Sequence, residues 1–191
     1  MNLPKIKRAK DTPFFLRGWG SIEELKSAVY AADIPDYSAQ FKEMGGVVLT
    51  VPDDPNAVGL NTVKKLIASI ANLRVKVAQM RIDAIFLLTE WQSAGRVFEE
   101  MLERFRATES LSEEFAGLKN KEARDAFLQH RVNDVYFDME QRIYISVSRC
   151  KDFVEACRVF SAGLDAMYEG VSRQFSVVEH QNNINNEGNE E

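Results

Sequence analysis

Residues 63–105 read VKKLIASIANLRVKVAQMRIDAIFLLTEWQSAGRVFEEMLERF, and this stretch decides the fold. Val63, Leu66, Ile70, Leu73, Val77, Met80, Ala84, Leu87, Trp91, Ala94, Phe98, Met101 and Phe105 follow one another at alternating steps of three and four residues. All thirteen seam positions are apolar, and no proline interrupts them. Such spacing places one apolar stripe along a helix of roughly 60 Å at 1.5 Å per residue.

A second seam follows: Val132, Tyr136, Met139, Ile143, Ser146, Cys150, Phe153, Cys157, Phe160, Leu164, Met167, Val171, Gln174 and Val178. Only Ser146 and Gln174 break its apolar character. It predicts a second long helix from about Lys121 to Glu179. Between the two, Thr108–Asn120 is polar, and Ser110 with Glu113 has the spacing of a capping box. Two long helices joined by a short connection pack antiparallel. The predicted fold is therefore mainly α: two long amphipathic helices in a coiled-coil-like antiparallel hairpin over residues 61–179.

Outside the hairpin the pattern weakens. Residues 1–20 form a basic arm with Lys5, Lys7, Arg8, Lys10 and Arg17 against Asp11 alone. In residues 21–60, Ser21 and Glu24 predict a short capped helix over about 22–32. Pro35, Gly45-Gly46 and Pro52-Asp53-Asp54-Pro55 predict loops, with Val47–Val51 the one strand-like run. Residues 180–191, rich in Asn and Glu, predict a disordered acidic tail.

Centring the turn near residue 114 sets Phe98 opposite His130, Ala84 opposite Tyr144, and Ile70 opposite Arg158. Asp83 and Glu90 then meet Arg142 and Arg149 in an ordinary ion-pair ladder. Arg74 and Arg81 face Val154 and Val147, with no carboxylate. Ile67, Ile82, Ile85, Phe86, Leu88, Ile145, Val147 and Val154 lie outside the seam. That surplus of apolar surface predicts further packing partners, with copies of the same chain favoured over the N-terminal segment.

The chain carries 24 Lys and Arg against 29 Asp and Glu, a formal net charge of −5, so any anion-binding role must be local. Lys64, Lys65, Arg74, Lys76 and Arg81 form a basic stretch with no acid before Asp83, and the arm residues Lys5, Lys7, Arg8 and Lys10 add to it. These are the candidate contacts for nucleic-acid phosphate, sequence-independent and salt-sensitive. The bland reading of each is a solvated or intermolecularly neutralised cation. Tyr144 and Tyr168 are candidate stacking residues, with core packing their commoner use.

Chemistry is hard to place anywhere. His130 and His180 lie fifty residues apart, and no nucleophile motif, phosphate loop or zinc spacing occurs. Glu99 and Glu103 share a helix face but lack the Glu-x-x-His partner of a carboxylate metal site. The expectation is a non-enzyme without cofactor or metal. Cys150 and Cys157, seven residues apart on one helix, are too distant for a disulfide and read as small core residues in a reducing compartment. No run is long and apolar enough for a signal peptide or a membrane span, so the expected location is cytoplasmic.

The run Phe160-Ser161-Ala162-Gly163-Leu164-Asp165-Ala166-Met167, followed by Ser172-Arg173-Gln174-Phe175, resembles the C-terminal helix of phage recombination mediators of the UvsY type. The order of long helix, polar connection and second long helix is also similar. The resemblance implies a ring-forming homo-oligomer that binds single-stranded DNA and helps load a RecA-like recombinase in place of a single-strand-binding protein. It implies self-association through the C-terminal helix, here Leu164, Met167, Val171 and Phe175. The family's Lys- and Arg-rich segment at the end of the first arm corresponds here to Glu99–Arg106, which is acidic with two arginines. The DNA contact is therefore placed by charge pattern at Lys64–Arg81. The rival reading is a structural or adaptor coiled coil that touches only protein.

Overall fold

The computed structural model describes residues 21–47, 49 and 59–187. These are 88% helical and include no strand. Five helices follow in order: α1 (Ile22–Ala31), α2 (Ser38–Gly45), α3 (Leu60–Glu109), α4 (Glu113–Ala116) and α5 (Lys121–Glu187). The 50-residue α3 and 67-residue α5 pack against each other as the predicted antiparallel hairpin. The basic arm lies outside the described residues, as do three of the five residues of the strand-like run; Val47 and Leu49 are not in regular structure. α5 continues eight residues past the expected end at Glu179, so the first part of the expected tail is helix.

The chain divides into two compact units, one comprising Met1–Asp36 and Ile85–Lys151, the other Tyr37–Ala84 and Asp152–Glu191. In the first, Trp91, Ala94 and Phe98 of α3 and Val132, Tyr136, Met139 and Ile143 of α5 are all buried. The Tyr136 ring packs edge-on to Phe98 and Phe105, with centroids at 6.2 and 5.3 Å. Its phenol is pushed above its usual range by burial, then by the fields of Glu23 and Glu109. Ser146 is fully buried in this seam, and its hydroxyl is satisfied by donating to the Arg142 carbonyl at 2.8 Å.

α1 forms as its capping residues dictate, with the Ser21 hydroxyl accepting from the Glu24 N–H at 3.2 Å. It buries Leu25 and Val29 and runs parallel to α5. Its last turn holds no basic residue, and α5 supplies the missing cation. Arg142 donates through Nε to the Val29 carbonyl at 2.9 Å and through Nη2 to the Ala32 carbonyl at 2.6 Å. Arg149 reaches the Pro35 carbonyl at 3.1 Å. These two arginines therefore hold the N-terminal helix, a use that the expected ladder with Asp83 and Glu90 did not include.

In the second unit Val63, Ile70, Val77 and Ala84 pack with Phe153, Cys157, Leu164 and Val171. α2 was not legible as a helix; it closes over this core with Met44. Phe153 is the anchor, stacked on Tyr37 at 4.1 Å and meeting Phe41 edge-on at 5.3 Å. Cys150 and Cys157 are both buried seam residues, as expected, and burial pushes the Cys157 thiol up despite the opposing field of Arg81.

The hairpin register departs from the symmetric one. Arg74 faces Asp165, eleven positions beyond the expected Val154 and so about three helical turns along α5. The connection is the cause. Residues 110–120 fold back over the first turns of α5, so those turns pair with the connection and with the last residue of α3. Phe115 meets Phe127 at 6.2 Å, Arg131 bridges Glu114 at 2.6 Å and Glu109 at 3.6 Å, and Arg124 Nε donates to the Leu118 carbonyl at 3.0 Å.

Candidate nucleic-acid interface

A helix advances 100° per residue, so a basic run in sequence need not be a basic face in space. The second unit separates the candidate cations onto two flanks of α3. Lys76 points toward α2 and forms an ion pair with Glu43. Lys65 is exposed, and its carbonyl accepts from the Ser69 hydroxyl at 2.9 Å. Lys64, Arg74 and Arg81 belong to the other flank, beside α5.

On that flank the Arg74 guanidinium lies 5.0 Å from the centre of the Tyr168 ring, within reach of a cation–π contact. Its Nη2 is 2.7 Å from Asp165 Oδ1, near enough for an ion pair though out of line for a hydrogen bond. Both side chains are roughly half exposed, so the pair is worth at most about 1 kcal/mol. Lys64 Nζ sits 5.9 Å from the Phe175 ring centre, one step along the same flank. The premise that no acid faces Arg74 fails, because the shifted register brings Asp165 to it.

Arg81 keeps that premise. It is exposed and forms no ion pair among the described residues. Its field reaches Glu155, whose carboxyl is held below the usual range first by the hydrogen bond from Arg158, then by the charges of Arg158 and Arg81. Arg158 grips Glu155 through two bonds of 2.8 and 2.6 Å, leaving Arg81 without that carboxylate.

No family model, curated protein or solved structure matches this chain.

The remaining expected sites divide similarly. Leu164 and Val171 are buried in the intramolecular core, so their side chains are already used within one chain. Phe175 packs partly against the same core, while Met167 is exposed. Tyr144 is 68% exposed and belongs to the first unit; Tyr168 is partly buried beneath Arg74. His130 sits beside Asp134 at 2.8 Å on an exposed face. The described residues hold no group of three or more potential metal ligands, and no helix is long and apolar enough to cross a membrane.

Sequence reasoning missed Asp165, Tyr168 and Glu43 as the neighbours of the basic stretch. The Asp165–Tyr168 spacing of three is a one-face signal, but it points at Arg74 only once the register is known.

Proposed function

We propose that this chain is a non-enzymatic, homo-oligomeric accessory factor of phage-type recombination or replication that contacts single-stranded DNA. The observation that carries the reading is the flank of the second unit, where Lys64 and Arg74 each lie against an aromatic ring and Arg81 is unpaired. Cations that track phosphates beside rings that stack on bases are the common kit of sequence-independent single-strand binding. The likeness of residues 160–175 to UvsY-type mediators supports the same reading. Its partners would then be a RecA-like recombinase and a single-strand-binding protein in the host cytoplasm.

A second reading, an adaptor that binds only protein, is favoured by the neutralising pairs Arg74–Asp165 and Lys76–Glu43. Fluorescence anisotropy with a labelled oligothymidine at low salt separates the two. The DNA reading expects binding at micromolar protein and a loss of roughly tenfold on replacing Arg74 and Arg81 with Ala. Absence of binding rejects it; binding that ignores the double substitution rejects the site.

A further inference from the structure

The seam between α3 and α5 in the first unit has two open sides. α1 covers one, held there by Arg142 and Arg149. The other is a groove of about 590 Å³ floored by Phe98, Leu102, Ile143 and Val147. Tyr144 stands at its edge, more than two-thirds exposed, and Ser93 and Gly95 put no large side chain at its middle. The close fit there is measured by Gly95: a Cβ added to it would lie 3.4 Å from Ile143 Cγ2.

The charges around this groove are arranged in a particular order. Gly95 and Ile143 lie level with each other across the hairpin. Glu99 and Glu140 are therefore about one helical turn from that level, on the side of the connection. Lys151 is about two turns from it, on the opposite side. Arg96 lies near the middle, its guanidinium donating to the Ser93 hydroxyl at 3.5 Å. Glu99, Glu140 and Lys151 are exposed and make no ion pair among the described residues. One end of the groove is thus acidic and the other basic, with an apolar floor and an exposed tyrosine between.

We infer that this groove is a self-association surface, on which a second copy of the chain docks about a two-fold axis crossing the hairpin near Ser93. That axis lays the acidic end of each groove on the basic end of the other, so Lys151 of each chain meets Glu140 and Glu99 of its partner. Tyr144 of each chain packs into the centre of the other groove, where Ser93 and Gly95 leave room for it. An isologous contact of this kind needs a surface complementary to itself, which this order of charges provides. A groove only roughly 20 Å long, from Thr89 to Leu102, suits a reversible dimer rather than an obligate one. The surface is not the C-terminal one expected from sequence, and it stands or falls independently of DNA binding.

The test is sedimentation of the full chain without DNA, from about 1 to about 100 micromolar. The expected result is a mass rising toward that of two chains. Lys151→Glu and Glu140→Lys should each raise the midpoint concentration at least about tenfold with helicity unchanged. Tyr144→Glu, which puts a charge at the apolar centre, should do the same. Mixing equal amounts of the Lys151→Glu and Glu140→Lys chains should restore association, because each altered charge then meets its opposite on the partner. The double variant in one chain should also recover. A mass that never leaves one chain overturns the proposal, as does association that the single variants leave unchanged or that mixing fails to restore. DNA binding is read separately by anisotropy, so either reading can fail alone.

Discussion

At the scale of single residues, the side chains with the most structural consequence are two arginines that the seam pattern assigns to an ordinary ion-pair ladder. Arg142 instead places a planar set of donors against two carbonyls where α1 ends, a position where the helix dipole favours positive charge. A charged donor on a partly buried carbonyl contributes about 1.5–3 kcal/mol. Arg142→Ala is therefore expected to cost about 2–3 kcal/mol in urea denaturation, with α1 the first segment to lose amide protection. Arg142→Lys should recover little of it, since one ammonium cannot span both carbonyls. A loss below about 0.5 kcal/mol, within the ordinary scatter of surface substitutions, would refute this role. By contrast, the half-exposed Arg74–Asp165 pair contributes little to stability. Any large effect of Arg74 on DNA binding would thus be a binding effect.

At the scale of elements, periodicity located both long helices, because an apolar step of three and four residues has one good helical solution, and the Ser21–Glu24 capping box located α1. It did not reveal α2, whose sequence Ser38–Gly45 is capped by Tyr37 without a side-chain hydrogen bond and owes its place to Tyr37 and Phe41 meeting Phe153. Contacts between residues more than a hundred positions apart leave no local trace. Register was missed for a related reason. An apolar seam can slide by whole helical turns and still set apolar residues against each other, so only the connection fixes it. Residues 110–120 do so by packing Phe115 on Phe127 and Glu114 on Arg131. The candidate site inherited the error: Arg74 was singled out for lacking an acid, and an eleven-residue shift supplies Asp165. Phe115→Ala should remove the ring contact at a cost of about 1–2 kcal/mol. Hydrogen exchange should quicken over Lys121–Arg131 while the Ile70 and Phe153 regions keep their protection. Uniform quickening along α5 would mean that the connection does not hold its first turns separately.

At the scale of the whole molecule, charge sets the terms on which any anion is met. The net charge of −5 means that the long-range field of the chain opposes a polyanion, so contact depends on cations close to phosphate. Salt dependence then counts the contacts. For single strands the logarithm of the binding constant falls with the logarithm of salt with a slope of about −0.7 per phosphate neutralised. Lys64, Arg74 and Arg81 together account for a slope of about −2. Replacing Arg74 and Arg81 with Ala should reduce the slope of the full chain by about 1.4, whatever the basic arm contributes, because the arm is present in both proteins. The affinity loss should accordingly shrink as salt rises, since the missing contacts are those that salt already weakens. A double variant that binds more weakly but keeps the original slope would have lost stacking against Tyr168 rather than phosphate contact, which would reassign Arg74 from a phosphate contact to a support for that ring.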